Sequence, residues 1–96
     1  MRFQTLADAT DFLQDVTGDD FTKRITAFVE HPSGHSPATG ANLLTALGNI
    51  FNANQSCYFS VRNLDGFGKD AARFDGICNA AARAQAAVWL AMNPEG

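Results

Sequence analysis

The stretch from Asp70 to Met92 constrains this chain more than any other. Phe74, Ile77, Cys78, Ala81, Ala84, Val88, Ala91 and Met92 fall on one face when read at helical spacing. Offsets of three, four, seven and eight keep an apolar stripe continuous toward a core. Asp70 can act as the N-cap, its carboxylate taking an orphan amide of the first turn. Asn93-Pro94 closes the helix, because proline biases its predecessor away from helix and cannot continue the ladder. Alanine fills much of the interior, which raises helix propensity and leaves a thin surface that packs closely. The rest of the fold must be built around this helix.

Upstream, three shorter apolar stripes are expected to form helices. The first runs from Thr5 to Val16, with Thr5 as cap and Asp8 completing an acidic capping box. Leu6, Ala9, Phe12, Leu13 and Val16 form its buried stripe, and Thr17-Gly18 ends it in the left-handed turn that glycine favours. Asp19 or Asp20 then caps a second helix, whose inner face is Phe21, Ile25, Phe28 and Val29; His31-Pro32 closes it. Ser36-Pro37 opens a third, with Leu43, Leu44, Leu47, Ile50 and Phe51 inward and an expected end at Asn52 to Asn54. Gly40 and Gly48 either weaken that helix or allow another to cross it closely.

The segment from Gln55 to Leu64 admits two readings. Over 56–62 the alternation of Cys57, Phe59 and Val61 with Tyr58, Ser60 and Arg62 has the period of a short strand. A single strand leaves its backbone groups without partners unless a second copy supplies them. Helix or coil, with Tyr58, Val61 and Leu64 inward, is the preferred alternative. The expected architecture is therefore all-α: one domain over 1–96, a small bundle of about four helices with a long alanine-rich last one.

Charge narrows the function. Through His35 the acids Asp8, Asp11, Asp15, Asp19, Asp20 and Glu30 face only Arg2, Lys23 and Arg24. Beyond it Asp65, Asp70, Asp75 and Glu95 are balanced by Arg62, Lys69, Arg73 and Arg83, so the net charge of −3 resides in the first third. Direct nucleic-acid binding needs clustered positive charge to displace counterions, and this distribution argues against it. No stretch approaches the roughly 20 apolar residues of a membrane span. The polar opening Met1-Arg2-Phe3-Gln4-Thr5 lacks the apolar run of an export signal, which predicts a cytoplasmic protein with Cys57 and Cys78 reduced.

Four constellations could carry chemistry or recognition. Asp8, Asp11 and Asp15, extended by Asp19 and Asp20, form an acidic stripe suited to docking on a lysine- or arginine-rich protein surface. Gly66, Gly68, Lys69 and Arg73, with Arg62 nearby, offer converging amides and cations for a phosphate group or nucleotide. Their spacing matches neither the phosphate loop nor the dinucleotide fingerprint, and Asp65 and Asp70 oppose an anion. Gly76, Ala80 and Ala84, spaced by four and accompanied by Trp89 and Leu90, could form the seam of a homodimer. His31 and His35 with Cys57 or Cys78 could in principle reach a metal, but the cysteines lack the close pairing of structural zinc sites. No residue pair carries the local activation that nucleophilic or acid–base catalysis requires, so neither enzyme, cofactor nor metal is expected.

In its small size, acidic balance and absence of catalytic motifs, the chain resembles the small inhibitors that bacteriophages and mobile elements encode, anti-CRISPR proteins among them. The resemblance implies a small inhibitor; together with the acidic stripe and the Gly76, Ala80, Ala84 seam read above, the expected function is a non-enzymatic protein-binding module that docks through its acidic face and pairs as a homodimer. The alternative from another class is a small-ligand binder at the glycine turn.

Overall fold

The computed structural model describes residues 3–94; Met1, Arg2, Glu95 and Gly96, with two of the charges counted above, lie outside them. Helix α1 spans Leu6–Thr17, α2 Phe21–Glu30, α3 Pro37–Val61 and α4 Gly68–Met92, with a 3₁₀ turn at Pro32–Gly34. The architecture is all-α, as the stripes predict, and no strand occurs among the described residues.

Local chemistry explains most boundaries. Thr5 Oγ1 accepts a hydrogen bond from the Asp8 N–H at 3.1 Å and so starts α1. Gly18, at φ +78°, ends it with its own N–H donating to the Gln14 carbonyl. Asp20 stands at the head of α2, although its carboxylate makes no capping bond. Pro37 opens α3 at a position where the missing N–H costs nothing. Asn93 closes α4, and its side-chain amide donates to the Trp89 carbonyl at 3.0 Å.

Two boundaries differ from expectation. Helix α3 continues through Asn52–Asn54 and takes in the 56–62 segment as far as Val61, with Arg62 as its C-cap, so the segment is not a strand. Instead of capping an end, Asn54 donates its side-chain amide to the Ile50 carbonyl one turn back, at 2.8 Å. The Ser60 hydroxyl likewise donates to the Ser56 carbonyl at 2.9 Å. With the segment helical, every second residue no longer shares a face; Tyr58 and Val61 are half-buried while Phe59 and Leu64 are exposed. Helix α4 begins at Gly68, ahead of Asp70, with Phe67 at the cap position and the Ala71 N–H donating to its carbonyl at 2.9 Å. Asp70 instead lies in the first turn, where its charge complements the helix dipole.

Helices α3 and α4, 25 residues each, form a long antiparallel hairpin. Going along α3, Gly40 meets Met92, Gly48 lies beside Gln85, and the Phe51 carbonyl accepts from the Cys78 thiol at 3.5 Å. The molecule is correspondingly elongated, 48 × 23 × 19 Å. Helices α1 and α2 pack on α4, α2 touching α3 as well. One core results, holding Ala9 and Leu13 of α1, Phe21, Ile25 and Phe28 of α2, Leu43 and Leu47 of α3, and Ile77, Ala80, Ala81, Ala84 and Val88 of α4. Between Leu47 and Ala71 no residue is fully buried, so the far end of the hairpin projects beyond this core.

Gly40 permits the closest crossing described. A Cβ there would stand 2.6 Å from Met92 Sδ and 2.8 Å from Phe28 Cζ. Met92 can give way at its flexible end, whereas the Phe28 ring is held in the core. Gly40→Leu is therefore expected to lower stability by roughly 1–3 kcal/mol, the usual cost of overpacking. Urea unfolding followed by circular dichroism measures this, and an unchanged midpoint would contradict the crossing.

Candidate functional site

The acidic residues singled out in the sequence occupy α1 and its turn into α2. Asp8, Asp11, Asp15, Asp19 and Asp20 are all exposed. The three-residue turn Gly18-Asp19-Asp20 brings α2 back alongside α1, and the Thr22 hydroxyl donates to Asp11 Oδ1 at 2.7 Å across the pair. Between the two helices runs a shallow groove of about 450 Å³, lined on its acidic side by Asp11, Asp20 and Glu30. Lys23 also lines it, with Gln14, Thr22 and Thr26 supplying neutral polar groups.

Asp11 and Asp20 are thus brought together, while Asp8 and Asp15 flank them on α1 and Asp19 on the turn. Glu30 is the member that the stripe on α1 does not reveal. Its signal lies in the outer face of α2, where Thr22, Thr26 and Glu30 recur at intervals of four. The acidic surface has a boundary. On the α3 side of α2 a second groove, of about 440 Å³, is lined by Asp20 together with Lys23, Arg24, His35, Thr39 and Asn42. Arg24 lies over the Phe21 ring at 5.6 Å and so stays on that side. Asp20 sits where the two grooves meet.

The glycine turn is arranged differently from a phosphate cradle closed over a core. Gly66 takes φ +85° and lets the chain reverse, and Gly68 is the first residue of α4. Arg62, Lys69 and Arg73 are exposed, and the Arg62 guanidinium lies 4.7 Å from the centre of the Phe59 ring. Phe67 does not tuck beneath the turn; it is 44% exposed.

The proposed seam residues separate into two groups. Gly76, Ala80 and Ala84 are buried inside the chain's own core, a correction to their assignment at a dimer interface. Helix α3 takes one side of α4 through Gln85 and Met92, and α1 and α2 require a second, thin side on which to pack. The small residues supply it. Trp89 and Leu90, by contrast, are 46% and 57% exposed.

Of the groups considered for a metal, His35 packs its ring against Phe28 at 5.6 Å, and His31 is exposed at the end of α2. Cys57 is exposed and Cys78 buried, both as free thiols. Among the described residues no three His, Cys, Asp or Glu side chains are grouped to hold a metal ion. No helix among them is long and apolar enough to cross a membrane. Comparison with protein-family models, with curated proteins and with solved structures finds no match to this chain.

Burial pushes the Cys78 thiol above its ordinary range, and the charges of Asp75 and Cys57 push the same way. Below the ordinary thiol value both folded and unfolded chains hold the proton, and the contribution to stability is complete. Above that value the unfolded chain loses its proton first, so stability falls as the pH rises toward the higher folded value. Alkylation at pH 8 should accordingly label Cys57 promptly and Cys78 only on unfolding, read by intact-protein mass. Equal labelling rates in the folded protein would contradict the burial of Cys78.

Proposed function

We propose that this chain is a non-enzymatic protein-binding module that docks the acidic surface of α1 and α2 onto a basic partner, in the manner of a small phage or mobile-element inhibitor. The single observation that supports the reading most is the convergence of Asp11, Asp20 and Glu30 on one groove, flanked by Asp8, Asp15 and Asp19. Five of the six are short aspartates, and all stand on, or in the tight turn between, two helices whose inner faces are locked in the core. Little side-chain freedom is lost when a partner meets them.

Each exposed ion pair is worth only about 0–1 kcal/mol. Neighbouring acids act together because spacings of three and four on α1 set their Cβ atoms about 5–6 Å apart, within the Debye length of about 8 Å at physiological salt. Such a field steers encounter and rejects acidic surfaces, and thereby sets specificity more than affinity. The fitting partner is a protein whose exposed lysines and arginines ordinarily hold nucleic acid, in the cytoplasm. Inhibition would follow from covering that surface.

Asp15→Lys with Asp19→Lys is the suitable test, because Asp11 also ties α1 to α2 through Thr22. A lysine near the end of α1 complements its dipole, so the fold should be retained. Affinity capture on the immobilised protein should recover a basic partner that the double variant loses by tenfold or more and that Lys69→Ala/Arg73→Ala retains. Identical capture by wild type and the acidic-face variant would remove this face from consideration.

A further inference from the structure

The hairpin of α3 and α4 is covered on one side only. Helices α1 and α2 and the core occupy that side. On the other, Leu44 of α3 and Gln85, Ala86, Trp89 and Leu90 of α4 line a shallow, mainly apolar hollow of about 570 Å³. The two helices are in contact there, a Cβ on Gly48 lying at an ordinary van der Waals distance, 3.4 Å, from the Gln85 side-chain amide.

This side is also without charge on α3. From His31 through Val61 the chain contains no Asp, Glu, Lys or Arg, although roughly a quarter of an ordinary domain's residues are charged. Ala41, Thr45, Asn49 and Asn52 are nonetheless exposed on this helix. Depletion of charge around an aromatic anchor distinguishes the centre of a protein interface from ordinary surface.

We infer that this face pairs two copies of the chain back to back, with Trp89 of each packed against the Leu44–Gln85 joint of the other. Charge selects the occupant. About a two-fold axis each residue near the axis meets its own counterpart, so any charge there repels itself; the uncharged strip of α3 places the axis along that helix, with the exposed Arg83 of α4 at the margin of the contact. The chain carries a net −3, concentrated in α1 and α2 on the opposite side. Two acidic copies therefore meet with least repulsion through the hairpin, and both docking grooves stay open. Size is adequate as well. Two 25-residue helices present a face of roughly 37 by 20 Å, close to the ~800 Å² per partner of a standard interface.

Trp89 is the sole tryptophan and reports directly on the contact. Sedimentation velocity on the full chain across a micromolar dilution series should give a dimer that dissociates on dilution, with tryptophan emission shifting to the red over the same range. Trp89→Glu should sediment as a monomer with unchanged helical circular dichroism. If that variant fails to fold, Ala86→Glu, at an exposed position of the same hollow, replaces it with the same expected result. A wild type that is monomeric at the highest concentration would overturn the inference, and so would a folded charge variant that remains dimeric. Asp15→Lys/Asp19→Lys should leave the dimer intact, so this inference and the docking reading fail separately.

Discussion

The antiparallel contact of α3 with α4 is the interaction on which the rest of the molecule depends. Helices of 12 and 10 residues, the lengths of α1 and α2, are marginal alone, because nucleation is costly and few hydrogen bonds follow it. They acquire stability by burying Leu13, Phe21, Ile25 and Phe28 against a surface that α4 must already present. That surface is thin because of its alanines, and α3 holds it in place from the other side. Gly40 sets the separation at the base of the hairpin, where a side chain would collide with Phe28 and Met92 together.

The same arrangement sorts the charges. Helices α1 and α2 turn their apolar stripes onto α4 and must therefore turn Asp8, Asp11, Asp15 and Glu30 outward. A chain of modest net charge thus shows one concentrated acidic surface in place of a diffuse one. The opposite side of the hairpin is uncharged along α3 and exposes Trp89 and Leu90. Two surfaces of different chemistry, separated by the thickness of a single core, suit a protein that recognises one partner electrostatically and another by apolar contact.

Much of this was legible in the sequence, for identifiable reasons. Thr5, Gly18 and Asn93 act locally, through one to three hydrogen bonds to nearby backbone, and their positions agree with the helix ends. The apolar stripes of α1 and α2 supply the core, Ala9, Leu13, Phe21, Ile25 and Phe28 buried and Leu6, Phe12, Val16 and Val29 packed at its edge, because each short helix has essentially one face to hide; the buried Thr10 is the member the apolar stripe does not reveal. Errors arose where a residue's local preference was decided by tertiary contacts. Asn52 to Asn54 resemble a stop, yet Asn54 bonds backward within a helix that α4 holds in place. Over 56–62 the alternation also fits a strand, but the preferred helical alternative is the one observed, α3 running on to Val61 at the cost of exposing Phe59. Gly76, Ala80 and Ala84 correctly marked a close helix approach; periodicity alone could not say that the approaching helices belong to the same chain. Of the acidic surface, the α1 stripe was readable, whereas Glu30 joins it only through the turn that lays α2 beside α1.

The central claim, that recognition runs through the field of the α1–α2 acids, is tested most directly by measuring binding rates against ionic strength with a partner recovered by capture. Screening acts on the encounter more than on the formed contacts. The association rate constant should therefore fall at least tenfold between low and high salt while dissociation changes little. An association rate that is flat with salt would contradict electrostatic docking and shift attention to the apolar hollow around Trp89 on the hairpin.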